Sequence, residues 1–455
     1  MNNIFFQDPW WLILIKVVAL FVILLVWTIF NVWYERRLVG KMQHRLGPIM
    51  NGPFGLGQAL ADGAKLLVKE DFRPKNADKI IFSLAPVLTA VAAFTCWTVI
   101  PFGGEVTMFG VETRLQLTDL PVAAVFILAT ASIGIYGIVL AGWAGNSTYS
   151  FLGSIRSTAQ MISYEISMGL SMVGVFLMAG SMSTHEIVEA QRETLTFGIP
   201  FTDMTFNFGL PGWFALLLFP SFVIYAISMV GETNRAPFDL PECESELVSG
   251  YITEYSGFRY ALYFLAEYIN MATVSAVCTT LFLGGYLTPW PLNWLADSVP
   301  FFGFLNNPWL GPIWFILKVQ LLISVFVWLR GTLPRLRYDQ FMDLGWKVLI
   351  EVSLVWIIVV ALVANTEFRN ATIGLALLLG IVVYWIWGAN RPQSTEPEIP
   401  SSPNEVYDAF AGGYPVPPMP GQQLPELVGV VAGARAAEET DPVVVDEVIV
   451  EGKES

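Results

Sequence analysis

The residues most able to do chemistry lie in one charged segment between two apolar stretches. Between positions 231 and 259 the chain carries two arginines, Arg235 and Arg259, and six carboxylates: Glu232, Asp239, Glu242, Glu244, Glu246 and Glu254. Carboxylates next to lipid are costly and are functional candidates by default. The segment therefore predicts a polar, water-accessible cavity or a binding site for a protein partner.

Four further charges, Lys16, Glu165, Glu267 and Lys318, lie inside apolar stretches, and Glu232 ends one of them. Each of them is expected to have a partner. A carboxylate in a low dielectric can exchange protons near neutral pH, and several within reach of one another form a relay. For Glu165 or Glu267, the alternative is an interhelical hydrogen bond or ion pair without a transport role.

The apolar stretches that must position these charges dominate the chain. With 55% hydrophobic and 14% charged residues among 455, the composition is that of a polytopic membrane protein. We predict an all-α fold with about nine transmembrane helices, each near the roughly 20 residues that cross a bilayer. The stretches are 11–33, 80–102, 121–143, 161–180, 213–230, 260–286, 312–329, 348–364 and 373–387.

The distribution of lysine and arginine predicts the orientation. Sixteen of them fall in the segments 35–79, 144–160, 231–259 and 330–347, whereas the opposite loops hold only three. Basic loops face the cytoplasm. Nine spans then place the N-terminus outside a bacterial plasma membrane and the C-terminus inside. No basic region with a small-residue cleavage site precedes the first span, so we expect no removable signal peptide.

Residues 56–69 predict an amphipathic cytoplasmic helix. Leucines and an alanine recur at helical spacing, while Asp62 and Lys65 belong to a parallel polar row. Such a helix is expected to lie along the membrane interface, with its polar face toward water or a docked subunit.

Metal chemistry is not expected in this chain. Cys96, Cys243 and Cys278 are far apart and form no CxxC pattern, so they cannot hold an iron-sulfur cluster. His44 and His185 are isolated and fall on opposite sides of the predicted membrane, which argues against a shared metal site. We interpret both histidines as loop or interface residues.

The C-terminal tail accounts for most of the net charge. Residues 391–455 contain twelve acids and three basic residues, and so contribute nine of the fourteen net negative charges. The tail is rich in proline and poor in aromatic residues, a composition typical of disordered segments. We predict a disordered cytoplasmic extension; an alternative is that residues 442–450 pair with a partner as a strand.

Two groups of motifs resemble one known family. The first is Glu35-Arg36-Arg37 with Gln43-His44-Arg45-Leu46-Gly47-Pro48 and Ala61-Asp62-Gly63. The second is the run from Glu232 to Glu242 with Glu254-Tyr255-Ser256-Gly257 and Ala266-Glu267-Tyr268. They resemble a family of membrane subunits of the proton-pumping NADH:quinone oxidoreductase, respiratory complex I, which includes bacterial members and mitochondrial subunit 1.

The resemblance covers residues 11 to about 364 and implies three parts of the chain. Residues 1–364 would form a quinone-chamber membrane domain with the family's eight-span core. Residues 365–390 would add an extra transmembrane helix, and residues 391–455 the acidic tail. Neither addition inherits a role from the family.

The family's activity implies a substrate and partners. The chain would form much of a quinone chamber where the membrane arm meets the peripheral arm, and would couple quinone reduction to proton translocation. Ubiquinone or menaquinone would be the substrate, with no covalent cofactor, and FMN and the iron-sulfur clusters would belong to partner subunits. Expected partners are the cluster-bearing and quinone-site subunits of the peripheral arm, small membrane-arm subunits and lipid, and not nucleic acid.

The resemblance also implies roles for the charged residues. The set lining the chamber entrance or its interface with the peripheral arm would be Glu35, Arg36, Arg45, Asp62 and Lys65. A mobile acidic loop would contain Asp239, Glu242, Glu244, Glu246 and Glu254, with Arg235 as its counter-ion. The proton path into the membrane arm would begin with Glu165, Glu232 and Glu267. Cys243 stands where a residue such as glycine is expected, and we interpret it as a tolerated small residue.

Two other classes of function remain open from the residues alone. One is the membrane subunit of an energy-converting hydrogenase, which has no quinone to reduce, and the other is a stand-alone ion-coupled transporter. The chain shows no clear internal repeat of the kind that transporters often have. The complete 43–48 loop and the 254–257 segment favour the quinone-reducing complex.

Overall fold

The computed structural model describes residues 8–192, 194–198, 205–239, 248–294 and 300–364. Seven helices in this part of the chain are long and apolar enough to cross a membrane, and a shorter apolar helix lies between the fourth and the fifth of them. The helices are α1 (Trp10–Met42), α2 (Gly57–Val68), α3 (Lys79–Thr95), α4 (Ala123–Ala144), α5 (Thr148–Ala179), α6 (Thr184–Ala190), α7 (Phe214–Leu217), α8 (Phe219–Glu232), α9 (Gly257–Phe282), α10 (Gly311–Thr332), α11 (Tyr338–Asp343) and α12 (Ile350–Ala364).

These helices confirm the predicted all-α, multi-pass class. Eight of the nine predicted stretches coincide with helices, the fifth as α7 and α8 and the eighth as the end of the π-helical turn Leu344–Leu349 followed by α12. Helix α11 precedes this turn, within the segment 330–347 that was predicted as a loop. The predicted amphipathic helix is α2. The ninth stretch, the 365–390 segment and the 391–455 tail lie outside the described residues, so the count of nine stays a prediction.

Two short antiparallel ribbons interrupt the helical pattern, and the sequence patterns do not predict them. Strand β1 (Glu105–Met108) pairs with β2 (Val111–Arg114) between α3 and α4. Strand β3 (Thr194–Gly198) pairs with β4 (Thr205–Pro211) between α6 and α7. Both ribbons lie in loops opposite the basic ones.

Small residues let the membrane helices approach closely, as expected where packing rather than water drives association. At Gly137 of α4, any β-carbon would overlap the Thr89 side chain of α3. The buried Ser167 of α5 contacts α8, where the Ser167 and Ser228 hydroxyl oxygens lie 2.7 Å apart. The bundle is therefore held by close backbone approach and by short interhelical hydrogen bonds.

Contacts between loops divide them into the two groups that the charge pattern predicts. Within the basic group, the Leu336 amide donates to the Pro237 carbonyl at 3.1 Å, and Arg259 pairs with Asp71 at 3.1 Å. Within the opposite group, the Ser183 hydroxyl donates to Asp119 at 2.8 Å. The two ends of the helical bundle therefore differ in charge.

Both lysines inside the spans have partners, as the sequence requires. The Lys16 ammonium donates to Asp8 at 2.6 Å and to Thr113 of β2 at 2.6 Å. Lys318 of α10 donates to the carbonyls of Leu283, Gly285 and Leu287 at 2.7, 3.0 and 2.8 Å. Because the first of these carbonyls directly follows α9, Lys318 places a positive charge at the negative end of that helix dipole.

Candidate functional site

The start of the acidic segment is held in place by α5. The Gln160 amide donates to the carbonyls of Gly231 and Phe238 at 2.8 and 2.9 Å. The Asn234 amide donates to Ser157 at 2.9 Å. A glutamine at the right height on α5 thus bridges both ends of the turn that leaves α8, so that residues 231–238 have a fixed path inside the protein.

A linear chain of ion pairs, here called the charge array, joins this turn to three helices, α1, α9 and α10. Arg330 at the end of α10 pairs with Glu35 of α1. The second partner of Glu35 is Arg235, with 3.4 Å between Oε1 and Nη1. Arg235 Nε in turn lies 2.9 Å from Glu267 Oε1 of α9. Tyr268 donates to Glu35 Oε2 at 2.6 Å, and its ring centre lies 4.4 Å from the Arg235 guanidinium.

The charge array is electrically balanced and mostly shielded from solvent. Two carboxylates face two guanidinium groups, so its formal charge is zero. The side chains of Arg235 and Glu35 are 8% and 7% exposed, whereas that of Arg330 is 38% exposed. Buried ions are tolerated only when they are paired and hydrogen-bonded. A net charge on the array is therefore costly unless a proton or another nearby charge neutralises it.

Asp239 lies at the far end of the same segment and has its own counter-ion. Arg335, on the loop between α10 and α11, pairs with Asp239 at 3.4 Å. The hydrogen bond from Leu336 to Pro237 fixes this loop against the segment. Residues 235–239 are thus contacted by α1, α9 and the loop after α10.

Glu232, the last residue of α8, lies beside two internal cavities of about 40 and 30 Å³. Glu232 is 8% exposed, and its Oε2 atom has no hydrogen-bond partner among the described residues. A water needs roughly 10–15 Å³ of such volume. Each cavity can therefore hold a few waters, and such waters would supply the missing hydrogen bond.

Glu267 and Glu165 occupy different positions relative to Glu232. The smaller cavity is lined by both Glu232 and Glu267, so these two carboxylates share one water-sized space. Glu165 of α5 instead accepts a hydrogen bond from Ser132 of α4 and lines neither cavity. The structure thus brings together two of the three predicted path residues.

The residues predicted for the entrance divide into a buried and an exposed group. Glu35 belongs to the charge array. Arg36 points the other way and pairs with Asp62 of α2, which also accepts from Gln58 at 3.1 Å. Lys65 is exposed on the same helix. The α2 helix is therefore tied to α1 through its polar face.

The other predicted residues that the structure describes lie outside the charge array and do not line the two cavities. Arg45 is exposed and donates to Gln43 at 2.6 Å. Glu254 is half-buried and lies against Gly145, at the turn between α4 and α5. The remaining residues predicted for the acidic loop, Glu242, Glu244 and Glu246 with the neighbouring Cys243, fall outside the described residues.

Three residues of the site do not stand out in the sequence: Arg330 of the charge array, Arg335 beside Asp239, and Asn270 at the cavities. The two arginines count there only as basic-loop residues, since every loop on that side carries some. Asn270 lines both cavities and lies three residues after Glu267. This spacing places the two side chains on one face of α9. The sequence could therefore have identified Asn270 only through its helical spacing from Glu267.

A separate polar group lies at the other end of the bundle. The Tyr286 hydroxyl donates to Glu189 at 2.7 Å and lies 3.3 Å from His185 Nδ1. Burial first, and then the positive charge of Arg114, lower the pKa of His185 below its usual 6.5. Within the described residues no three side chains are arranged to hold a metal ion.

Fold and site together define a multi-pass α-helical membrane protein with a buried charge array at the basic end of its bundle. The family model described as NADH dehydrogenase matches residues 15–361. The chain is 58% identical over 438 residues to the NADH-quinone oxidoreductase H subunit of Cutibacterium acnes, covering 94% of this chain and 96% of the relative. Proteins of the same name match at 49% in Streptomyces avermitilis, covering 93% and 90%, and at 53% in Frankia alni, covering 83% and 80%.

The chain belongs to the NADH dehydrogenase family. The array and the cavities lie within the matched residues 15–361. The alignment with the Cutibacterium acnes protein covers more of this chain than residues 1–364 contain. Part of the C-terminal region is therefore shared with that relative, although the family model does not include it.

Proposed function

We propose that this chain is the quinone-chamber subunit of a proton-translocating NADH:quinone oxidoreductase, at the junction of its membrane and peripheral arms. It would couple quinone reduction to proton movement through a path that includes Glu165, Glu232 and Glu267. The relatives' names and the family match support the complex. The observation that carries the proposed coupling role is the charge array, which ends beside the cavities at Glu232.

The chemistry of quinone reduction explains why such an array is useful. Reduction of a quinone to a quinol takes up two electrons and two protons, so negative charge arises before the protons arrive. Charges interact strongly where the effective dielectric is low. A balanced array of two carboxylates and two guanidinium groups responds to such a charge by re-pairing or by taking up a proton. Glu232 and its cavities are the adjacent place from which a proton can come.

The remaining expectations follow from this proposal. Quinone is the substrate, and FMN and iron-sulfur clusters belong to peripheral-arm subunits. The basic end of the bundle faces the cytoplasm and docks the peripheral arm, while α2 with Arg36, Asp62 and Lys65 lies near the quinone entrance. Arg45 belongs to the same cytoplasmic surface. Asp239, Glu242, Glu244, Glu246 and Glu254 form the acidic loop.

The first test is purification of the complex from mildly solubilised membranes through a tag on the C-terminus. Quinone-dependent NADH oxidation that is sensitive to a quinone-site inhibitor, with large peripheral subunits in the preparation, supports the proposal. Co-purification of hydrogenase subunits would instead support the hydrogenase class. A chain that purifies alone and is inactive with NADH and quinone would contradict the proposed complex.

The second test addresses the path. Glu165→Gln and Glu232→Gln are expected to lower quinone-linked proton pumping in the assembled complex, because the amide cannot release a proton. The matched control is Glu112→Gln, an exposed glutamate of β2 far from the array. Unchanged pumping in either path variant would remove that residue from the relay.

A further inference from the structure

The two cavities at Glu232 meet at a common wall. Both are lined by Glu232, Thr233, Thr89 and Asn270, together with Ile138 and Met161. Glu267 lines only the smaller cavity, and the larger one continues among apolar side chains of α3, α4 and α5. Water molecules that connect Glu267 with the larger cavity therefore contact the residues that line both cavities, which are here called the common wall.

Hydrogen-bond donors are scarce in that wall. The Thr89 hydroxyl donates to the Ala85 carbonyl at 3.1 Å, and the Thr233 hydroxyl donates to the Met229 carbonyl at 3.0 Å. In both threonines, the hydroxyl hydrogen is therefore already donated to a backbone carbonyl of the same helix. They offer only acceptor positions to the cavities.

Asn270 is the exception. Its amide forms no hydrogen bond within the part of the chain that the structure describes, and it lines both cavities. A primary amide offers two donor hydrogens and one acceptor oxygen. It lies on the same face of α9 as Glu267, three residues further on, which is about one helical turn deeper in the membrane.

We propose that Asn270 is a positioning residue that orients water between Glu267 and Glu232, so that a proton can pass between the two carboxylates. This inference rests on the proposed function and assigns a new member to its path. The amide does not titrate, so it is neither donor nor acceptor of the transferred proton. It supplies the hydrogen bonds that keep the waters aligned at the common wall.

The test compares Asn270→Leu and Asn270→Ser in the intact complex reconstituted into vesicles. Leucine has a similar size but no hydrogen-bonding group, so quinone-linked NADH oxidation and proton pumping are expected to fall about 10-fold to 100-fold, given that positioned proton transfer contributes roughly 10²–10⁴. Serine keeps a hydroxyl and leaves room for one more water. Its activity is expected to stay near that of the parent, with a larger solvent deuterium isotope effect.

Two controls separate positioning from structural damage. Electron transfer from NADH to a water-soluble artificial acceptor counts the assembled complexes, because it bypasses the quinone. Met271→Leu changes the next residue of α9, which is 2% exposed and lines neither cavity. It is expected to behave like the parent. Equal losses in Met271→Leu and Asn270→Leu, or an unchanged isotope effect in Asn270→Ser, would overturn the inference.

Glu232→Gln distinguishes failure of this inference from failure of the proposed path. If Glu232→Gln is impaired and Asn270→Leu is not, the path stands and Asn270 has no part in it. If Glu232→Gln is active, the path through Glu232 is wrong, and the role of Asn270 falls with it. Impairment of both, with recovery in Asn270→Ser, supports both statements.

Discussion

Replacing either arginine of the charge array should show which ion pairs hold the helices together. Arg235→Met removes a guanidinium that lies between Glu35 and Glu267, and Arg330→Met removes the outer partner of Glu35. Methionine keeps much of the side-chain length in both cases. The two variants therefore differ mainly in the burial of the lost charge and in the number of carboxylates left behind.

The structure predicts unequal costs. Arg235 is 8% exposed, and its loss leaves two carboxylates without their shared partner, so we expect the fold to lose about 3–5 kcal/mol. Arg330 is 38% exposed, and Glu35 keeps its contacts with Arg235 and Tyr268. Exposed pairs contribute only about 0.2–1 kcal/mol, so Arg330→Met should cost about 1 kcal/mol or less. Adding Glu267→Gln to Arg235→Met should recover part of the loss.

The assay is the amount of the chain in membranes together with the inactivation temperature of the purified complex. A loss of about 1–2 kcal/mol changes abundance several-fold in cells, so Arg235→Met should be clearly depleted and Arg330→Met close to the parent. Equal depletion of the two single variants would refute the argument from burial. A double variant no better than Arg235→Met would refute the argument from stranded carboxylates.

Three further changes test other parts of the site. Gln160→Leu should leave the Phe238 carbonyl unpaired, at about 1–3 kcal/mol, and should leave the Gly231 carbonyl only its 3.4 Å hydrogen bond from the Asn234 backbone amide. Quinone-linked activity per assembled complex should fall, and full activity would contradict the bridging role. Gly231→Ala places a β-carbon 2.5 Å from the Tyr164 ring, which should cost about 1–3 kcal/mol and lower the inactivation temperature. The lowered pKa of His185 means that the folded state prefers the neutral ring. Stability should then fall as the pH drops below 6.5, because the unfolded chain binds the proton first. His185→Gln should weaken that dependence, and identical pH profiles of inactivation temperature would exclude the histidine as its source.

The membrane helices were predictable because apolar length is a local property of sequence. The stretch 312–329 became α10, and the polar and apolar rows at 56–69 became α2. The charge pattern also predicted which loops meet. By contrast, the ribbon β1–β2 could not be anticipated, because its strands are four residues long and lie between much stronger helical signals.

The charge array was beyond the reach of local patterns. Glu35 and Arg330 are 295 positions apart, and Glu35 and Arg235 are 200 apart. A basic residue after an apolar span is explained equally well by the positive-inside rule, so nothing marks Arg330 as a residue that folds back onto a carboxylate. The Glu35 motif predicted a role at the chamber entrance or at its interface with the peripheral arm, and that role stays a prediction. Its burial and its ion pairs depend on the packing of α1 against α9 and α10, which no local pattern contains.

The carboxylates of the site differ in whether they have a guanidinium partner. Glu35 and Glu267 each have a guanidinium partner, whereas Glu232 Oε2 has none among the described residues and faces space for water. A fixed ion pair resists protonation because the proton must displace a nearby positive charge. A proton delivered from the Glu232 side can therefore replace Arg235 at Glu267 only if the guanidinium moves toward new negative charge elsewhere. A charge arising near Glu35 and Arg330 supplies that attraction. Under the proposed function, movement of Arg235 within the array would be the step that transmits events at the basic end of the bundle to the interior of the membrane.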